Sequence, residues 1–279
     1  MQASLREAQT IFYVEGWELK LGASSLFAIA RSFKSFLNYV RKTNSVKVWE
    51  IIDEAETRLT PLRISELNDL ARTKGLEFTL HAPFLDVNFA SLSPYMRKAS
   101  LKHLENSLFK AYLLGCRVLV VHGGFYPHVS VKDRAYELSR NSIRKLALKA
   151  VDYGVKIAVE NGPAGYSFLY VEADEVLKQF SLLSELENVG LCLDVGHANT
   201  SSELKHFLQK AGDLILHVHI HDNDGKRDLH LYPGEGTVDW HLVFEGLKQT
   251  SFDGYIIVET ASSPLLGVKT VEKWLKARG

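Results

Sequence analysis

Six stretches of this chain run from a short apolar segment straight into a side chain that can ligate a metal. In order they read "LEFTLHAP", "VLVVHGG", "KIAVEN", "GLCLDVGHA", "ILHVHIHDN" and "YIIVET". Their closing positions hold His81, His122, Glu160, Asp194, His197, His219 and Glu259. A parallel strand buried on both faces is built from Val, Ile and Leu, so a His, Asp or Glu at its end belongs at the rim of the sheet. Repeated around a closed barrel, this arrangement aims all those groups at one point. The pattern predicts an α/β fold, a (β/α)8 TIM barrel, with a metal-dependent active site at the C-terminal ends of its strands.

The 279 residues suit one barrel of about 250 residues, read here as one domain over 1–279. Apolar, β-branched runs alternate with segments of helical period, and strands are predicted at roughly 19–25, 46–52, 76–82, 117–123, 156–161, 189–195, 214–221 and 255–260. Helices are predicted over 94–114 and 131–153, with ends marked by Pro94, Gly115 and Gly154. No GxGxxG opens the first helix, which argues against an open dinucleotide-binding sheet.

Lys+Arg and Asp+Glu both number 33, so there is no basic excess to drive nucleic-acid binding. No apolar run is long enough to span a membrane. The N-terminus, "MQASLREAQTIFYVEG", lacks the continuous apolar core of a signal peptide. Cys116 and Cys192 form no CxxC pattern, and two buried, reduced thiols in a cytoplasmic protein are expected.

In "LILHVHIHDN", His217, His219 and His221 lie two apart and so share one face of a strand. Imidazoles in place of Val or Ile must be hydrogen-bonded or metal-bound. His219, near the strand end, is the expected ligand. His217 lies deeper and is expected to be structural, whereas His221 is expected just beyond the ligands. "LCLDVGHAN" sets Asp194 and His197 three apart across a bend at Gly196, and "DLH" adds Asp228 and His230 on a loop. Glu160 and Glu259 close two fully apolar strands and should emerge at the mouth. These five His, two Asp and two Glu, with no thiolate, suit Zn²⁺, Mn²⁺ or Fe²⁺. Nine donors are too many for one ion and suit two or three. His103, His206 and His241 fall in helical stretches and are expected to be exposed or capping, while His128 sits on a loop near the mouth.

"LHAPF", "VVHGG", "VEN", "LDVGHA", "HIHDN", "DLH…PGEG" and "VET", in this order, resemble the xylose isomerase-like TIM-barrel superfamily of sugar phosphate isomerases and epimerases. That group shares its ligand set with the family 2 AP endonucleases (endonuclease IV). The resemblance to single-metal isomerases implies an ion held by Glu160, Glu259, Asp194 and His219. Those two glutamates would move the proton, and His197 would bind a substrate hydroxyl. It also implies substrate contacts from Glu50 of "VWEII", Phe84 of "LHAPF" and His221. The resemblance to endonuclease IV implies a three-zinc cluster on His81, His122, Glu160, Asp194, His197, His219, Asp228, His230 and Glu259. Endonuclease IV, however, has Thr-Cys where this chain has Val195-Gly196, an Asn in place of His221, and a longer insertion before the D-x-H pair.

The leading expectation is a Zn²⁺- or Mn²⁺-dependent isomerase or epimerase, with one to three ions, acting on a sugar or sugar phosphate through an enediol. The alternative is an AP endonuclease-type hydrolase, with DNA as its partner. A non-catalytic sugar- or metal-binding barrel ranks below both. Barrels of this group can self-associate, so a homo-oligomer is compatible with the sequence.

Overall fold

The computed structural model describes residues 11–14, 17–250, 252–262 and 264–277. The reading of the N-terminus as no signal peptide falls largely on residues 1–10 and 15–16, outside those described. Among the described residues, nine strands form one sheet in chain order: β1 (Ile11–Val14), β2 (Trp17–Ser24), β3 (Val48–Ile52), β4 (Glu77–His81), β5 (Val118–His122), β6 (Lys156–Glu160), β7 (Val189–Asp194), β8 (Ile215–Ile220) and β9 (Tyr255–Val258). From β2 to β9 every neighbouring pair is parallel, and β9 pairs back onto β2, so these eight strands close into a (β/α)8 barrel. All eight expected strands are present. The antiparallel β1, paired through Ile11↔Lys20, was not foreseen. One short apolar run with no ligand at its end carries too weak a signal beside eight stronger ones.

Strand periodicity sorts the residues into two layers. On β5, Leu119 and Val121 face outward into the main core, whereas Val118 and Val120 pack inside the barrel. Val48, Ala158, Cys192 and Ile257 join them inside, from β3, β6, β7 and β9. Two positions further on, each of these inner rows reaches a polar residue: Glu50, His122, Glu160, Asp194 and Glu259. The barrel is therefore plugged by small apolar side chains below and floored by ionisable ones above.

The intervening helices carry the start signals their sequences provide. They are α1 (Phe33–Lys42), α2 (Pro61–Lys74), α3 (Pro94–Leu113), α4 (Lys132–Val151), α5 (Ala173–Ser181), α6 (Val195–Thr200), α7 (Leu204–Lys210), α8 (Trp240–Gln249) and α9 (Pro264–Lys276). Thr60 and Ser93 accept from the third following N–H, each with proline at the first turn, and Asp239 caps α8 in the same way. The expected bend at Gly196 proves to be helix α6, capped by Asp194, whose Oδ1 accepts from His197 N at 2.7 Å. Among the described residues, no helix is long and apolar enough to cross a membrane. Both cysteines are free and buried.

Candidate metal centre

Three adjoining groups of donors meet at the C-terminal rim. They are His81, His122 and Glu160; Glu160, Asp194, His219 and Glu259; and His197, His221, Asp228 and His230. Within each, the ligand atoms lie within 4.8 Å of one another. All nine expected donors are thus brought together, and Glu160 bridges the first two groups. The third also gains His221, which had been expected to meet substrate.

Backbone carbonyls orient the imidazoles. His81 Nδ1 lies 2.7 Å from Ala82 O, His197 Nδ1 2.8 Å from Asn161 O, and His230 Nδ1 2.9 Å from Glu259 O. Each ring donates there and turns its Nε2 lone pair toward the centre, which is the usual support of a metal-ligating histidine. His219 is held from the opposite side. Its Nε2 lies 2.7 Å from Glu50 Oε1, while its Nδ1 faces Glu160 Oε1 at 3.1 Å and Glu259 Oε2 at 3.5 Å.

Glu50 is fully buried beneath the centre, paired with His217 Nε2 at 2.9 Å as well, and accepts a hydrogen bond from Thr79. This corrects the expectation of a substrate contact, because Glu50 lies one layer too deep on β3, where it is the counter-charge of His219 and sits beside His217, an imidazole that burial favours uncharged. His221 departs from its expected place for another reason: it is buried and absent from the cavity wall, with the ring of His230 stacked on it at 3.9 Å between centroids. His217 is fully buried, as its depth on the strand implied.

Burial by itself would raise the Glu50 carboxyl, but the His219 and His217 imidazoles outweigh it and hold the group well below the carboxylate range. Burial likewise opposes ionisation of Glu160, Asp194 and Asp228, and neighbouring imidazoles reverse it: His122 and His219 at Glu160, His197 and His221 at Asp194, His197 and His230 at Asp228. In return, and against burial, Asp194 lifts His197 to about 10 and Asp228 lifts His230 to about 9. Burial drives the Cys192 thiol well above its ordinary value, so it stays uncharged.

The residues present fit a divalent cation. Charged carboxylates crowd the site, and Asp194 Oδ2, Asp228 Oδ1 and His221 Nε2 are buried without a hydrogen-bond partner. Orphaned acceptors beside imidazole nitrogens are what a bound cation would satisfy.

Two loops complete the centre. Asn161, at the end of β6, accepts from Asp194 N at 2.7 Å and donates to Asp194 O at 3.1 Å, locking the ends of β6 and β7 together. After β8, the loop folds back through paired hydrogen bonds between Asp222 and Leu231, which sets Asp228 and His230 over the floor. His230 adopts the left-handed region, φ 48°, a conformation costly for a side chain of this size and held by its surroundings. Asn161, Asp222 and Asn223 were not foreseen as positioning residues, although all three sit in the quoted motifs beside the donors.

A cavity of about 730 Å³ opens above the floor. Seven of the nine donors line it; Asp194 and His219 lie beneath. Its walls are Phe27, Phe84, Phe125, Tyr166 and Phe168, and Phe84 stacks on His122 with ring centroids 5.1 Å apart. Phe84 is therefore where a substrate contact was expected. Among the described residues lining the cavity, Arg31 is the one arginine or lysine. His197 lines it too, but its Nε2 is turned to Asp228 Oδ2 at 3.2 Å rather than to a free hydroxyl position. His128 caps a short turn through Ser130 and does not line the cavity. His103, His206 and His241 are exposed on helices.

A model of the xylose isomerase-like TIM barrel matches residues 42–278. The uncharacterized protein MJ1311 of Methanocaldococcus jannaschii is 33% identical over 247 residues, covering 87% of this chain and 84% of its own length. A probable endonuclease 4 of Mycobacterium leprae is 27% identical over 201 residues, covering 69% of this chain and 76% of its own. The crystal structure of a D-tagatose 3-epimerase-like protein superposes with a TM-score of 0.86 at 30% identity, over 93% of this chain and 98% of that one.

Proposed function

The chain belongs to the xylose isomerase-like TIM-barrel family, and from that premise we propose that it is a divalent-metal-dependent enzyme that isomerises or epimerises a sugar or sugar phosphate. The observation that carries this reading is the placement of Glu160 and Glu259. Both line the cavity, and both approach His219 Nδ1, so their carboxylates flank one point on its floor. A substrate carbon held there lies between a base and an acid.

When bound at Glu160, Asp194, His219 and Glu259, a divalent cation would polarise a substrate carbonyl and the hydroxyl beside it. One glutamate takes the proton from the carbon next to that carbonyl, leaving an enediol. The other, in its acid form, delivers a proton to the opposite face for epimerisation or to the neighbouring carbon for isomerisation. Ser24 Oγ donates to Glu259 Oε1 at 3.2 Å and fixes the direction of that carboxylate. The aromatic walls keep bulk water from the enediol. Similarity to a D-tagatose 3-epimerase-like protein supports a ketose as substrate.

A second reading has an observation of its own. Ten donors in three adjoining groups, the nine expected and His221, suit clustered ions that hydrolyse a phosphoester, and mycobacterial relatives are named probable endonuclease 4. The cavity favours the first reading, since a path for a DNA backbone needs several cations and these walls carry Arg31 amid aromatic rings.

The test is solvent exchange. Protein loaded with Mn²⁺ or Co²⁺ and incubated with ketoses in D₂O is expected to place deuterium on the carbon next to the carbonyl. Glu259→Gln is expected to slow this by about a thousandfold. Cleavage of an abasic duplex without any such exchange would replace this reading with the second.

A further inference from the structure

We propose that His221 is a fourth donor to a cation on His197, Asp228 and His230, three of the ligands that the resemblance to endonuclease IV implies, that this site is separate from the Glu160, Asp194, His219 and Glu259 group, and that the missing side chain of Gly196 is what admits the His221 ring. This site does not rest on the proposed reaction, because none of its four donors belongs to the glutamate pair or its cation.

Three Nε2 atoms converge on one carboxylate. Those of His197 and His230 lie 3.2 and 3.3 Å from Asp228 Oδ2, and that of His221 lies 3.5 Å from Asp228 Oδ1. His197 and His230 spend their Nδ1 protons on backbone carbonyls, so lone pairs are left at Nε2. His221 Nε2 and Asp228 Oδ1 face each other, both buried and both without a hydrogen-bond partner. Leaving both bare is unfavourable, and a cation between them satisfies both.

Room for the fourth ring is a matter of one side chain. A Cβ at position 196 would stand 2.0 Å from His221 Cε1 and 2.4 Å from both ring nitrogens. Gly196 lies within helix α6 with no positive φ, so its conformation does not call for glycine, and glycine is a poor helix former. The close approach of the imidazole is the remaining reason for it.

Three imidazoles and one carboxylate match the four-coordinate preference of a zinc-class cation. The neighbouring group, with three carboxylates and one imidazole, leans toward harder ions such as Mn²⁺. With every tetrahedral position filled by protein, the His221 site is closed. It would tie together the end of β8, helix α6 and the loop that carries Asp228 and His230.

His221 Nε2 also lies 3.1 Å from Asp194 Oδ1, so the competing explanation is that His221 simply balances the charge of two aspartates. Titration of the chelator-stripped full chain with Co²⁺ and Zn²⁺, followed by visible absorption and elemental analysis, separates the two. The wild type is expected to hold at least two cations, one giving the intense band of four-coordinate Co²⁺. His221→Ala should weaken that cation by about a hundredfold or more and remove the band. Gly196→Ala should do the same while keeping every donor and a good helix former, which covers the case in which His221→Ala fails to fold. Glu259→Gln should leave the band in place. Persistence of the band and the second cation in both the His221 and Gly196 variants overturns the proposal, as does a wild type that binds a single cation. Two bound cations without carbon–hydrogen exchange would instead sink the proposed reaction and leave this site standing.

Discussion

Asp222 and Asp228 sit on the same loop and are held in opposite ways. Asp222 accepts from the backbone N–H groups of Asn223, Gly234 and Val238 and from Trp240 Nε1, so four donors surround one buried carboxylate. Asp228 faces imidazole nitrogens on Oδ2 and has no hydrogen-bond partner on Oδ1. The first carboxylate is complete within the chain and organises the loop. The second is complete only if something positively charged joins it. Asp53, deep in the fold, follows the first pattern, with Ser107, Lys110 and Leu59 N as its donors. Buried charge that structure requires is ringed by donors that have no other use, whereas charge that awaits a cation faces imidazoles whose nitrogens can trade a proton for a metal.

This contrast can be broken by experiment. The largest effect is expected from Asp222→Ala, which strips an acceptor from four N–H groups. Unfolding stability should fall by about 3 kcal/mol or more, and by the same amount in metal-loaded and chelator-treated protein. A loss that vanishes with chelator would show that Asp222, too, belongs to the cation site. Metal removal comes next. A cation at a hundredfold excess over its Kd adds about 2.7 kcal/mol, so chelation should lower the melting temperature of the wild type, and by less in Asp228→Ala. An equal drop in both would place the stabilising ion elsewhere.

The smallest effect is the pH dependence of the metal-free chain. His197, raised to about 10, and His230, raised to about 9, titrate near 6.5 once unfolded. A group with a raised folded-state value contributes stability that is complete below the unfolded value and lost as pH climbs through the folded one. Metal-free protein should therefore melt progressively lower between pH 6.5 and 10, while Zn²⁺ binding tightens over the same range as protons leave the imidazoles. A melting temperature that rises over that interval without metal would contradict the pairing of these rings with Asp194 and Asp228.

Much of the barrel could be read before folding because its two signals are local. Strands β2 to β9 announce themselves by continuous apolar runs, and the donors mark the ends of several of them. Other assignments were not local. Glu160 ends β6 and faces the cavity, whereas Glu50 stands in the middle of β3, before Ile51 and Ile52, and lies beneath it. Depth along the barrel axis depends on how neighbouring strands are staggered, and no single strand encodes that. His221 was misread for a similar reason: its spacing showed that it shares a face with His219, but not that Gly196 had cleared a place for it beside Asp228.

What the sequence determined alone was the class of fold, the end of the barrel that carries the chemistry, and the kinds of donor gathered there. Periodicity and side-chain type are properties of short segments. The tertiary structure decided which donors share a point, which imidazole nitrogen faces inward, and which carboxylates remain incomplete. Those depend on contacts between residues far apart in the chain, such as His81 with Glu160 and His197 with Asp228, and such contacts exist only once the strands have closed on one another.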